Sequence, residues 1–310
     1  MEFTGLKTVP IQARGGKVRV EHFAKPHRTG GGVQALIDSL PAILAADSLR
    51  AVVAAIARAR KSKRAILWGL GGHVIKCGLA PILIDLMQRG YASGFVLNGA
   101  AAIHDFEIAI AGHTSEDVEA VLPDGSFGAA EETGREMNEA VAEAGDTMGF
   151  GEALGHRLER IADPRFAASS LLHEAYRRGV PVTVHVAIGT DTPHTHPAAD
   201  GAAIGQATYR DFRLLCSLVT DLNDGGVYVN VGSAVVLPEV FLKVVSVVRN
   251  LGHPLANFTT ANFDFLQHYR PNANVVNRPH AKSGGRGYSI TGHHEIMIPL
   301  LAAALVEQVS

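Results

Sequence analysis

A histidine beside a carboxylate, His104-Asp105, with Glu107 two residues further on, is the densest chemistry-bearing group in this chain of 310 residues. Histidine changes charge near neutral pH, so His104 oriented by Asp105 has the makings of a general base. Acids at a helix start also complement the helix dipole, which leaves Asp105 as either a cap or a site residue. A second group is His194-Thr195-His196. In extended backbone a His-x-His pair points both rings to one side, which suits a shared anion or a divalent metal of the zinc or iron type. Asp105, Glu107, Asp191 or Asp200 would then supply oxygen. The competing reading is that His194 and His196 cap turns, and no close-spaced signature such as His-Glu-x-x-His accompanies them. Fifteen histidines is a high count, and many stand beside Gly, Pro or Asp.

The elements that must position these groups are legible around residues 64–107. The apolar run Ala65-Ile66-Leu67-Trp68 ends in Gly69-Leu70-Gly71-Gly72-His73. An amphipathic stretch with Val74, Leu79, Ile82, Leu83, Leu86 and Met87 follows, then a second apolar run, Phe95-Val96-Leu97. The turn Asn98-Gly99-Ala100 leads directly to His104. Strand, glycine turn, helix, strand, turn is a βαβ unit, whose parallel strands need such a crossover. His104, Asp105 and Glu107 therefore fall beyond the carboxyl end of a strand, where open α/β sheets bind ligands.

Elsewhere, residues 1–32 read as an irregular arm, and 33–310 as a single α/β domain. Helices are expected over 33–44, 48–60 (with Asp47 as N-cap), 129–144, 151–161, 167–178, 208–222, 238–250 and 296–308. Strands are expected over 180–186, 227–231 and 255–259, and a long polar loop over 261–286. The alternation favours a doubly wound, mostly parallel sheet with helices on both faces.

Composition bounds the rest. With 47% hydrophobic and 19% charged residues the chain can bury a sizeable core. A formal charge of -2 argues against generic nucleic-acid binding. Cys77 and Cys216 lie in apolar helical patterns and read as buried reduced thiols, which suits the cytoplasm. The first thirty residues lack the apolar core of a signal peptide, and no run of about 18 apolar residues suggests a membrane span. The expectation is a cytoplasmic protein with no membrane partner.

In order along the chain, His73-Val74-Ile75-Lys76, Gly78-Leu79-Ala80-Pro81, Asn98-Gly99-Ala100 and Ile103-His104-Asp105-Phe106-Glu107 resemble the deoxyhypusine synthase family. Gly225-Gly226, Thr260-Ala261, Arg270-Pro271 and Pro299-Leu300-Leu301 follow in that family's order, so the resemblance spans roughly residues 40–305. It implies a doubly wound NAD-binding fold and homotetramers with active sites at subunit interfaces. It also implies oxidation of spermidine with NAD, and transfer of the aminobutyl group to an enzyme lysine and then to a lysine of a translation factor. The cofactor-side residues carried over are Gly72, His73, Asn98, Gly99, Ala100, Gly225, Gly226, Thr260 and Ala261, with His293 at the family's acidic position near the chain end. Asp200 joins them if Asp200-Gly201 is the right anchor, which puts Gln206 where the family holds its amine; Asp191 fits the strand end about as well.

The amine side departs from the family. Where it places a nucleophilic lysine, this chain has Val276-Asn277-Arg278-Pro279, and arginine stays protonated and non-nucleophilic. Lys282, three residues beyond, is the available substitute, and the family's catalytic histidine position falls at or near Asn230. These departures argue against deoxyhypusine synthesis itself. The leading expectation is an NAD-dependent oxidation or group transfer on a small substrate, with His104 and Asp105 handling protons. The alternatives are a metal-dependent hydrolase or lyase on the same scaffold, or a non-catalytic paralogue that binds a nucleotide or polyamine.

Overall fold

The computed structural model describes Met1–Gln308. Its elements are α1 (Gly32–Ser39), α2 (Leu44–Lys61), β1 (Ile66–Leu70), α3 (Gly72–Lys76), α4 (Ala80–Gln88), β2 (Gly94–Asn98), α5 (Gly99–Ala111), α6 (Val118–Val121), α7 (Glu131–Ala144), α8 (Phe150–Ile161) and α9 (Leu171–Arg177). They continue with β3 (Val182–His185), α10 (Gly201–Thr220), β4 (Val227–Val231), α11 (Val236–Asn250), β5 (Thr259–Asp264), α12 (Tyr269–Pro271), β6 (Arg286–Thr291) and α13 (His294–Glu307).

All six strands pair in parallel in the order β3-β2-β1-β4-β5-β6. This is the doubly wound order expected from the alternation of elements. The chain leaves β1 toward β2 on one side and later returns to β4 on the other. The sheet therefore has a topological switch point between β1 and β4, where such folds open a crevice.

Burial on both faces explains why the central strands read as unbroken apolar runs. Ile66, Trp68 and Leu70 of β1 pack to one side, with Val52 and Ile56 of α2 and Leu83 of α4. Leu67 points to the other, against Leu215 of α10 and Leu237, Phe241 and Val244 of α11. The fully buried Trp68 donates its indole N–H to the Tyr91 carbonyl at 2.9 Å, and the Tyr91 hydroxyl donates to the Leu305 carbonyl at 2.8 Å. These two bonds tie β1 to the closing helix through polar groups that burial would otherwise leave unpaired.

Several expectations need correction. The crossover after β1 is two helices, broken at Cys77-Gly78, because α3 is only one turn and a half before the chain redirects. The first helix stops at Ser39, and the 167–178 segment is a 3-10 turn, Ala167–Ser169, followed by α9. Residues 261–286 are not a loop: β5 runs to Asp264, and a helical turn, a π-helical stretch (Asn272–Asn277) and a 3-10 turn (Arg278–His280) follow. The sixth strand was missed because β6 is an edge strand with a mixed, partly exposed pattern. The arm is irregular apart from 3-10 turns at Ile11–Ala13 and Val20–His22. No helix among the described residues is long and apolar enough to cross a membrane.

Candidate functional site

At the switch point the two central chains leave the sheet in contact. A Cβ on Gly71 would lie 2.1 Å from the Gly232 carbonyl oxygen, so neither a side chain nor a looser turn fits there. Gly71 N–H donates to the Val231 carbonyl at 2.9 Å, and Gly232 N–H donates to that of Phe263 at 3.0 Å. Gly232 adopts φ +65°, the left-handed region, and a Cβ there would meet the His294 ring at 2.8 Å. Behind this crossing, Gly72 lets α3 pack on Ala100 at the start of α5.

Aromatic rings gather beyond the carboxyl ends of β5 and β6. Phe265 stacks on His293 with ring centroids 6.2 Å apart and planes 8° apart, while His73 lies 5.6 Å from His294. His294 is 1% exposed, its nearest carboxylate is Asp264 at 3.7 Å, and neither ring nitrogen has a hydrogen-bond partner in the structure. Burial lowers its pKa, with Asp264 pulling the other way. Across the strands run Asn230, Asn262 and Gln267 as an amide ladder. Asn230 Nδ2 donates to Asn262 Oδ1 at 2.7 Å, and Asn262 Nδ2 donates to Gln267 Oε1 at 2.8 Å.

Against α5, between that helix and the segments 115–127 and 190–192, lies a chamber of about 250 Å³ lined by Lys76, Ala100, His104, Glu107, Glu116 and Asp191, among others. His104 Nδ1 is 2.7 Å from the Thr114 hydroxyl, and that hydroxyl in turn donates to Glu107 Oε2. Thr133 donates to the other Glu107 oxygen at 3.1 Å. Because Thr114 gives its proton to the acceptor-only carboxylate, it must receive one from His104. The network thus assigns the Nδ1–H tautomer and leaves Nε2 as a lone-pair acceptor. Burial, assisted by the Lys76 charge, holds the His104 pKa down to about 4, so the ring is neutral at pH 7. A second cavity, about 750 Å³, lies on the far side of this relay and shares Glu107.

Asp191 closes the chamber at the start of α5. A Cβ on Gly99 would be 2.0 Å from Asp191 Oδ2, so the carboxylate rests on the first turn of that helix, where a negative charge is favoured. Its Oδ2 is buried without a hydrogen-bond partner, and burial raises its pKa.

The structure gathers some of the expected residues and scatters others. Gly72, His73, Asn98, Gly99, Ala100, His104 and His293 all lie at the carboxyl ends of β1, β2 and β6. Asn98 caps α5, its side chain accepting from Ala101 N–H at 2.9 Å. Asp105 faces away from His104. It is fully buried and accepts from Ser170 Oγ at 2.6 Å, Leu171 N–H at 2.8 Å and Leu172 N–H at 2.8 Å, so it anchors the start of α9. Glu107, acting through Thr114, is the carboxylate that orients His104. Asn230 belongs to the amide ladder beneath the crevice, and its Oδ1 is buried and unpartnered.

Gly225 and Gly226 precede β4 and Lys282 precedes β6, so all three lie at the amino end of the sheet, opposite the crevice. Lys282 therefore cannot stand in for the family's lysine at this site. Thr260 and Ala261 lie inside β5 rather than beyond it. Thr260 donates to the Val275 carbonyl at 2.7 Å, and Ala261 is core. Asp200 caps α10, accepting from Ala202 N–H at 2.8 Å. The His194-Thr195-His196 segment is not extended, because Thr192–Thr195 form a 3-10 turn. His194 accepts from Gly189 N–H at 3.2 Å; His196 accepts from Ala198 N–H at 3.1 Å and faces Glu131 at 3.2 Å. These are the turn-capping contacts that competed with the metal reading. Gly232, Asp264, Phe265 and Thr114 were not anticipated, since each becomes informative only once the strand ends are known.

No protein-family model and no curated protein sequence matches the chain. Solved structures do. A conserved protein of Methanococcus maripaludis S2 described as a putative LOR/SDH protein superposes with a TM-score of 0.55 at 13% identity, covering 86% of this chain and 71% of that one. A putative deoxyhypusine synthase from Entamoeba histolytica gives a TM-score of 0.52 at 11% identity, covering 92% of this chain and 96% of the other. AgrE, in a ternary complex with ornithine and NAD+, gives 0.51 at 14% identity, covering 84% of this chain but only 33% of its own length. The chain therefore has the deoxyhypusine synthase-like fold, as the sequence resemblance implied.

Proposed function

We propose that the protein is an enzyme that binds NAD across the crevice between β1 and β4 and acts on a small substrate in the adjoining chamber. The contact between Gly71 and Gly232 carries this reading. It sets the Gly71-Gly72 turn and the start of α3 at the switch point of a doubly wound sheet, the place a pyrophosphate occupies in this architecture. The AgrE structure, on a related fold, is described as holding NAD+. In this reading the residues that hold the cofactor are Gly71, Gly72 and His73 after β1, Gly232 after β4, and the Phe265–His293 aromatic pair. NAD supplies hydride acceptance when bound.

The chain's own residues do the rest. His104 Nε2 takes a proton from the substrate, with the ring fixed by Thr114 and Glu107. Asp191, Glu107 and Glu116 give the chamber an acidic lining that favours a cationic amine. No lysine stands at the position where the resembling family places its nucleophile, so in this reading the reaction is oxidation or transfer without that covalent step. Association into a homotetramer belongs to the same reading. Phe3, Leu6, Val9, Ile11 and Phe23 of the arm are exposed in the single chain and would be covered by neighbouring subunits.

Titration with NAD+ tests the proposal. At a hundred times the dissociation constant, binding stabilises the fold by about 2.7 kcal/mol, which a thermal shift reads directly. Absence of binding by both thermal shift and calorimetry overturns it, and a monomer by light scattering overturns the oligomer.

A further inference from the structure

We infer that His73, Cys77 and Glu295 form a binding site for a divalent transition metal at the mouth of the crevice. His73 and Cys77 stand four residues apart, one turn along the chain, so their side chains project from the same face. Glu295 arrives from the first turn of α13, more than two hundred residues later in the sequence. One ligand atom from each of the three lies within 4.8 Å of the other two, and among the described residues this is the group that meets that condition. Cys77 Sγ is 3.8 Å from Glu295 Oε2. Two ligands on a tetrahedral zinc ion, with bonds of 2.0–2.3 Å, stand about 3.5 Å apart, so small side-chain rotations close the site.

An independent observation adjoins the cluster. The His294 imidazole, beside His73, is buried with both nitrogens unpartnered, and Asp264 stands behind it. A buried polar ring without a hydrogen bond is costly. A metal-bound water next to it supplies the missing partner. The ion pair of Glu295 is with the exposed His293 imidazole at 3.8 Å, and a divalent ion that displaces the Cys77 thiol proton would be held by thiolate and carboxylate together. Sulfur, nitrogen and oxygen donors together select zinc or its close neighbours over magnesium or calcium. Three protein ligands leave a coordination position open, which is the arrangement of a reactive rather than a purely structural zinc site. That position would take water or a substrate oxygen. This inference shares His73 with the dinucleotide reading but does not rest on it, and it is separate from His194 and His196.

The test uses full-length protein stripped with chelator and titrated with Co2+ and then Zn2+. One ion per chain is expected, with a thiolate-to-cobalt charge-transfer band that Zn2+ removes. Cys77→Ser should abolish the band and weaken binding at least about a hundredfold, and Glu295→Gln should weaken it about tenfold or more. His196→Ala should leave both unchanged. No stoichiometric binding overturns the site, as does binding whose band and affinity survive Cys77→Ser. Circular dichroism on each variant confirms that the fold is intact. NAD+ is titrated separately into the metal-free protein, so failure of one proposal leaves the other readable.

Discussion

Gly71 and Gly232 touch where the two halves of the sheet part, with the would-be Cβ of one only 2.1 Å from the carbonyl oxygen of the other. Because the obstacle is backbone on both sides, Gly71→Ala cannot be absorbed by a rotamer change. It must push β1 and β4 apart at their carboxyl ends, costing about 2–3 kcal/mol as overpacking does. NAD+ affinity should fall more steeply than stability, since the displaced backbone is the proposed phosphate surface. Chemical denaturation and calorimetry on the same variant separate the two effects. Unchanged NAD+ affinity would remove the crossing from the binding argument.

His104 offers a spectroscopic check. The Thr114 relay holds the Nδ1–H tautomer, and burial with the nearby Lys76 keeps the pKa near 4. Nitrogen-detected NMR should show a neutral ring, protonated at Nδ1, throughout pH 5–8. Its lowered pKa also gives stability a sign. Below about 6.5 the unfolded histidine takes up a proton that the folded one refuses until about 4, so this contribution is lost as pH falls through that window. Thr114→Val removes the hydroxyl that fixes the tautomer. It should mix the tautomers and lower kcat by about tenfold to a hundredfold while changing KM little.

The contrast between Asp105 and Glu107 shows what was legible in the sequence. Adjacent residues on a helix point about 100° apart, whereas residues three apart share a face. Helical spacing therefore puts Glu107 on the face of His104, where Thr114 bridges them, and turns Asp105 toward α9. The turns at Gly71-Gly72 and Asn98-Ala100 were readable because apolar strands run directly into them. Gly225-Gly226 looked equivalent, yet it precedes its strand. Glycine marks a tight turn without saying which end of the sheet it serves, and only the strand boundary decides. The Cys77 and Glu295 approach was invisible for a different reason, since nothing local in either segment records a contact spanning most of the chain.

Asp105 should prove structural. Its carboxylate collects one hydroxyl and two backbone donors from the start of α9, and Asp105→Ala would strand all three in a buried place. The expected loss is about 3 kcal/mol, seen as a lower denaturation midpoint with unchanged m-value. Hydrogen exchange should speed up most in α9. In protein kept folded at low temperature, NAD+ affinity should persist, because Asp105 faces away from the crevice.

Asp211, on α10, supplies the clearest pH signature. It is buried, and its Oδ2 accepts from Gly151 N–H at 2.9 Å and Val184 N–H at 2.7 Å. Oδ1 has no partner, and burial pushes the pKa up to about 7. The folded state therefore keeps a proton that the unfolded state releases near pH 4. Between those values the folded state binds more protons, so this group's contribution is fully present below about pH 4 and is lost as pH rises to about 7. Asp211→Asn keeps an acceptor for the two backbone donors and carries no charge at any of these pH values. The variant should lose this component of the pH dependence and exceed the wild type in stability at pH 8, by about 2 kcal/mol. Urea midpoints at pH 5 and pH 8 for both proteins measure it. Parallel changes in the two proteins would mean that Asp211 does not titrate in this range.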